Sequence, residues 1–350
     1  MANTYVSCLI AYLSTRQLVN KAINLSTRQL VNLSTCQLKK AMTAKRIQNK
    51  IADSRMALPV TAIYTVLVCL VSGFITQHMW AQFTILTVSA YMMLELNNTN
   101  ALIRIYSRMV SCSYLMLAVM AHFLLVSVPY GMVQLLFIGF LLLFFRGYQD
   151  KRASGTLFYA YVMLGAASII FKQVLYFVPV TWILLRTNIM AGNVRTWSAS
   201  VIGLLMPYWC VGGYYLYMGE TDQFLDSFSA LWQFGPLADF SVLSAAQIVS
   251  LAFIVLVDAI GMIHFHRNSF KDKIRTRMLF EVFTTFSLCI MAFIALQPQH
   301  TNFLMSMLLP CASPVIAHFI SLTHTRATNI IFIVLLIAVV GITACNLWLF

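Results

Sequence analysis

From Ala57 onward the chain alternates long apolar stretches with short connections that hold nearly all of its charges. The apolar runs lie at 57–75, 79–94, 109–128, 132–145, 155–171, 174–185, 197–218, 242–264, 278–296, 303–323 and 329–350. Most approach the roughly 20 residues that a helix needs to cross a hydrocarbon layer. Only helices or closed barrels satisfy their backbone groups in lipid, and continuous apolar runs lack the two-residue alternation of barrel strands. The pattern predicts an all-α fold, a polytopic transmembrane helical bundle of about eleven spans. The runs at 132–145 and 174–185 are the shortest, and such lengths are often re-entrant or interfacial. The connections after them still alternate, so both are read as crossings, with Pro129-Tyr130-Gly131 as a tight turn before the first.

The charges give this bundle a direction. Thirteen of the fourteen Lys and Arg residues after Arg55 fall on alternate connections. Cytoplasmic loops of helical membrane proteins retain Lys and Arg, so Arg104, Arg108, Lys151, Arg152, Arg267, Lys271, Lys273, Arg275 and Arg277 are read as topogenic and interfacial. Lys172 is the exception. The expected topology has a cytoplasmic amino terminus and an external carboxyl terminus, in a bacterial cytoplasmic (inner) membrane. Composition agrees: 60% of residues are hydrophobic and 9% charged, against about 25% charged in soluble domains. Nine of the 23 Lys and Arg precede Ala57, so the net +13 reflects a basic tail plus loop bias. The lipid bilayer is the expected partner, and nucleic acid is not.

Residues 1–55 form a separate region, expected to be a disordered tail ahead of a transmembrane domain at 56–350. LSTRQLVN stands at 13–20 and again at 25–32, and LSTCQL begins the next copy at 33. An eight-residue period fits neither helix nor strand. An eight-nucleotide unit of the type TCAACTYG, read through all three frames, encodes this repeat and explains Cys36 where Arg16 and Arg28 stand. The stretch therefore reads as translated microsatellite DNA, with Met42 or Met56 as the expected physiological start. Residues 1–14 lack the positive charge of a secretory signal, while the cations at 39–55 suit an anionic membrane surface.

Candidate chemistry is sparse. Six of the eight cysteines sit in or beside apolar runs, and none forms CxxC; they read as small core residues without a disulfide framework or zinc site. Ionisable groups inside spans are costly and commonly mark functional cavities. Asp258 stands out, six residues before His264 and so about 9 Å along a helix from it. Glu281, His264, His266, His318 and Glu95 approach the same cytoplasmic half and complete the set of substrate- or ion-binding candidates. Structural roles compete with each of them. Asp258 can accept hydrogen bonds from a neighbouring helix, and Glu281 stands four residues after Arg277, the spacing of an ordinary helical ion pair. His264 and His266 need further ligands to hold a metal, so no metal or cofactor is expected. The acidic connection after Met218 alternates with Phe224, Leu225, Phe228 and Trp232, as an amphipathic segment on the outer surface would.

Glu95 to Asn98 (ELNN), Arg104 with Ser107-Arg108-Met109, Phe158-Tyr159-Ala160 and Pro207-Tyr208-Trp209 resemble a family of uncharacterised bacterial polytopic inner-membrane proteins over residues 56–277. The resemblance implies a multi-pass helical fold and brings no activity. Sequences of that kind have been labelled carotene-cleaving oxygenases, which would imply iron held by histidines such as His122, His264, His266 and His318. Three function classes follow: transport or flipping of a small or lipophilic solute with Asp258 as the intramembrane acid, a structural membrane component, and a histidine-dependent membrane enzyme. Transport ranks first.

Overall fold

The structure, a computed structural model, describes residues 46–232 and 234–348. The amino-terminal repeat and Met42 lie outside the described residues. Among these there is no strand. Thirteen α-helices follow in order: α1 (Ile47–Ala52), α2 (Ala57–Val71), α3 (Trp80–Asn100), α4 (Met109–Met120), α5 (Val128–Arg146), α6 (Ser154–Ile170), α7 (Val178–Thr187), α8 (Val194–Met218), α9 (Thr221–Asp226), α10 (Ala245–Asn268), α11 (Ile274–Leu296), α12 (Thr301–Leu322) and α13 (Arg326–Trp348).

Six of these, α5, α8 and α10 to α13, are long and apolar enough to cross a membrane, and α2, α4 and α6 are shorter apolar helices. This is the part of the expected eleven-span bundle that length and hydropathy support directly. The outer surface fits a lipid solvent: Ile63 and Leu67 on α2, Leu205 and Trp209 on α8, and Val334 and Ile337 on α13 are all exposed. In water so much contiguous apolar surface would drive association. The architecture is that of a helical membrane protein.

Several boundaries depart from the hydropathy reading. Pro129-Tyr130-Gly131 is not a turn but the first turn of α5, which runs for 19 residues. Proline is tolerated there because the first amide hydrogens of a helix have no intrahelical acceptor. The chain reverses earlier, where α4 stops at Met120 and a 3₁₀ turn, His122–Leu124, follows. His122 is therefore at a helix end and not deep within a span. The run at 174–185 divides into a 3₁₀ segment, Lys172–Phe177, and the ten-residue α7. Within the tail expected to be disordered, Ile47–Ala52 is a helix. Gln48 is buried, and its amide donates to the Ile320 carbonyl and the Thr323 hydroxyl, both at 2.7 Å.

Local chemistry sets the remaining helix ends. Capping boxes start α8 at Asn193 with Thr196 and α10 at Ser244 with Gln247, each satisfying amide hydrogens that the helix leaves open. Gly219, at φ 75°, ends α8 in the left-handed conformation, which glycine adopts without steric cost.

At the centre stands α12, enclosed along nearly its whole length and packed against α4, α5, α10 and α11. Pro310 and Pro314 interrupt its hydrogen-bond ladder, since proline has no amide hydrogen to donate four residues back. The tightest packing elsewhere joins α6 to α8. A Cβ added at Gly165 would stand 2.6 Å from the Leu204 carbonyl oxygen, a backbone atom that cannot swing aside. Gly165→Ala is expected to lower stability by about 1–3 kcal/mol, read as a lower unfolding midpoint in detergent. Gly155→Ala, whose added carbon meets nothing within 4 Å, is the control; equal midpoints for the two would refute close α6–α8 packing as the cause.

Contacts between connections sort them to two ends. At one, Ser107 donates to the Ala52 carbonyl (2.7 Å), the Gln149 amide to Ile189 (2.8 Å), and Arg275 to Asn100 (3.0 Å). At the other, Gln82 reaches Val126 (3.2 Å), Phe171 stacks on Phe303 (4.5 Å), and Gly235 donates to Gln297 (3.0 Å). The first end carries most of the cations.

Candidate functional site

Asp258 lies on α10 where that helix faces α12. The two helices run in the same direction: Gly261 meets Val315, and the ring of His264 meets that of His318 at 5.5 Å. A side chain at position 261 would come within 2.9 Å of Val315 Cγ1, so glycine permits the approach that encloses Asp258. From the third side, α11 runs the opposite way, stacking Phe280 on Phe265 at 5.0 Å and placing Ser287 beside Asp258.

Within this three-helix junction Asp258 is 0% exposed, and neither carboxyl oxygen makes a hydrogen bond of normal geometry, although the Ser287 hydroxyl stands close enough to act on it. The Ser287 hydroxyl is buried and makes no such bond either. Buried polar groups nearly always find partners, and an isolated buried carboxylate is costly. Asp258 is therefore the least satisfied acid of the described chain.

One or two turns toward the cation-rich end, a second constellation forms around Asp272. Its carboxylate takes the His318 Nε2 hydrogen at 2.9 Å and lies 3.8 Å from Arg104 Nε. Because a carboxylate only accepts, the hydrogen is assigned to Nε2. Arg104 also donates to the Lys271 carbonyl at 3.3 Å. The side chains of Asp272 and His318 are 3% and 1% exposed, whereas Arg104 is 42% exposed. His318 Nδ1 and His264 Nδ1 are buried without partners, and Phe265 and Phe280 pack against the His318 ring.

Sequence reasoning missed Asp272. Its only signal was an acid set among the cations Arg267, Lys271, Lys273, Arg275 and Arg277.

The other candidates separate. His266 is exposed, although it stands only two residues from His264. Glu281 accepts from Asn188 Nδ2 at 2.8 Å; no ion pair joins it to Arg277, whose Nε is buried and unpartnered. The expected i, i+4 pair is thus replaced by a contact from α7's end. Glu95 is half-buried on α3 and makes no carboxylate hydrogen bond among the described residues. Lys151, Arg152, Arg267, Lys271 and Lys273 are exposed at the cation-rich end, as is Arg275, which packs over Tyr148 at 5.6 Å. Lys172, at the opposite end, sits 4.9 Å above both Tyr208 and Phe228. This cation–π contact accounts for a basic residue on the otherwise cation-poor end.

No three His, Cys, Asp or Glu side chains gather as metal ligands do among the described residues. His264 and His318 alone come together, so the four histidines suggested for an iron site do not share one point.

An apolar cleft of about 310 Å³ opens beside this junction, walled by α2, α4 and α13, with Val257 and Ile316 at its back. Asp258 does not line it, but its neighbour Val257 does.

Compared with protein-family models, curated proteins and solved structures, the chain matches none.

Proposed function

We propose that this chain is a multi-pass carrier that moves a lipophilic solute across or within a bacterial cytoplasmic membrane, with Asp258 as the group that couples movement to a proton. The carrying observation is a fully enclosed carboxyl without a hydrogen bond of normal geometry, one residue from the wall of an apolar cleft. A group so placed is costly in the observed state, and a second arrangement of α10, α11 and α12 that supplies it with water or a partner gives the energy difference a coupled carrier needs. The prolines of α12 leave the carbonyls of Ser306 and Pro310, four residues earlier, without their usual donors, and Pro310 stands near Asp258's level. Between Asp258 and the cation-rich end stand His264 and His318, two imidazoles on the path of a proton.

The same reading takes eleven crossings, a cytoplasmic amino terminus and an external carboxyl terminus. Its support is the gathering of basic connections at one end of the bundle. The short α7 fits as well: ten α-helical residues and the preceding six 3₁₀ residues together rise about 27 Å, close to the ~30 Å of a hydrocarbon core.

A reconstitution test reads movement directly. In proteoliposomes containing a fluorescent NBD-labelled phospholipid, dithionite outside quenches only outer-leaflet label. Wild-type chain under an imposed pH gradient is expected to expose inner-leaflet label, and Asp258→Asn to expose no more than empty liposomes. Equal quenching for wild type and Asp258→Asn removes the coupling role, and no quenching by wild type above liposomes removes lipid movement.

A further inference from the structure

The cleft is polarised along its length. Its polar wall residues turn inward: the Thr61 hydroxyl donates to the Leu58 carbonyl at 3.0 Å, and the Ser113 hydroxyl is satisfied by the carbonyls of Met109 and Ser313. What remains facing the space is hydrocarbon and sulfur, from Met56, Val60, Met116, Phe332 and Val339. No head group has a partner inside it.

One end of the cleft coincides with the cation-rich end of the bundle. Ile51, Ser54, Met56 and Met109 belong to the lining, and Lys50, Arg55 and Arg108 are their immediate neighbours in the chain. Lys50 and Arg55 are exposed, and Arg108 is half-buried with its guanidinium on the Tyr106 hydroxyl at 3.2 Å. The acid in this stretch, Asp53, is itself engaged. From Met109 to Leu117 on α4 the lining advances about 12 Å along the helix, less than the roughly 15 Å of one leaflet's hydrocarbon. The volume sits at the lower end of the roughly 300–1,000 Å³ of small-ligand sites, room for one chain and not two.

We infer that the cleft holds one acyl chain of an anionic phospholipid, with its head group against the Lys50, Arg55 and Arg108 end. An apolar slot with no charged residue in its lining, whose residues at the cation-rich end are next in the chain to Lys50, Arg55 and Arg108, and which is shorter than one leaflet's hydrocarbon, matches that amphiphile in charge, polarity and length. The inference deepens the carrier reading by naming the lipid class, and it depends on that reading only for calling the bound lipid cargo. Binding is a property of the cleft, movement a property of Asp258.

The full-length chain in nanodiscs would be irradiated with phosphatidylglycerol carrying a diazirine in one acyl chain, or with phosphatidylcholine carrying the same chain, and the adducts mapped by mass spectrometry. Label concentrated on Met116, Phe332 and Val339, heavier for phosphatidylglycerol, is the expected result. Each cation near anionic head groups contributes roughly fivefold, so K50Q/R55Q/R108Q is expected to lower the phosphatidylglycerol preference by roughly a hundredfold while leaving acyl labelling in place. Met116→Trp, which fills the slot, is expected to abolish the label. The wild-type map stands even if that variant fails to fold. Label spread evenly over the exposed faces of α8 and α13, or equal labelling by the two lipids, overturns the proposal. Asp258→Asn is expected to keep the wild-type map while losing lipid movement, whereas a wild-type chain that gives this map and moves no lipid rejects the carrier reading and leaves the binding site standing.

Discussion

Asp272→Ala is expected to cost about 1–3 kcal/mol of stability, because it leaves the buried His318 Nε2 hydrogen without an acceptor. The His318 ring has no alternative: its Nδ1 is already unpartnered, and Phe265 and Phe280 enclose it. The same Asp272 side chain ties the loop between α10 and α11 to the central helix, so its loss reaches three helices. Arg104→Gln should cost less than about 1 kcal/mol. Its guanidinium is 42% exposed and 3.8 Å from the carboxylate, and exposed ion pairs contribute little. Thermal unfolding of both variants in one detergent gives the comparison, and an Asp272→Ala loss no larger than that of Arg104→Gln would refute the buried pair as a stabilising element.

Asp258→Val should have the opposite sign. It removes two buried oxygens that make no hydrogen bond of normal geometry at similar side-chain volume, relieving roughly 1–3 kcal/mol of unmet polarity. The expected variant is more stable than wild type and inactive in lipid movement, a combination that marks a residue retained for function against stability. Asp258→Asn keeps an unsatisfied polar group and should change stability little. Strong destabilisation of Asp258→Val would mean that the acid has a partner in the resting protein, which would reassign it to a structural role.

These two acids differ in how legible they were. Asp258 is conspicuous in the sequence because it interrupts a long apolar run. Asp272 is hidden among cations, where an acid reads as part of a solvated loop. Only the approach of α12, which brings His318 under that loop, makes it a buried partner. His264 and His318 were both visible as candidates, but nothing in their separation of 54 positions said that they would meet. His266 illustrates the reverse. Two residues along a helix is more than half a turn, so its neighbour's burial could not carry over to it.

Helical periodicity also set an expectation for Glu281 that packing overrode. The four-residue spacing from Arg277 permits an ion pair worth only about 0.2–0.5 kcal/mol, too little to compete with a hydrogen bond offered by Asn188 at 2.8 Å. Similarly, Pro129 marks a boundary in any sequence, but whether it ends an element or begins one depends on where the next amide hydrogens find acceptors. Here it begins α5.

By itself the sequence determined the apolar solvent, the helical class and the confinement of most charges to connections, because each is a property of local composition: transfer to lipid is roughly additive along a run, and Lys and Arg avoid that solvent wherever they stand. The tertiary structure decided which polar groups are partnered. That depends on helix order, on the close approach of α10 to α12 at Gly261, and on the direction each side chain takes within a turn. A buried hydrogen bond is made or lost over about an ångström, a scale that hydropathy does not contain.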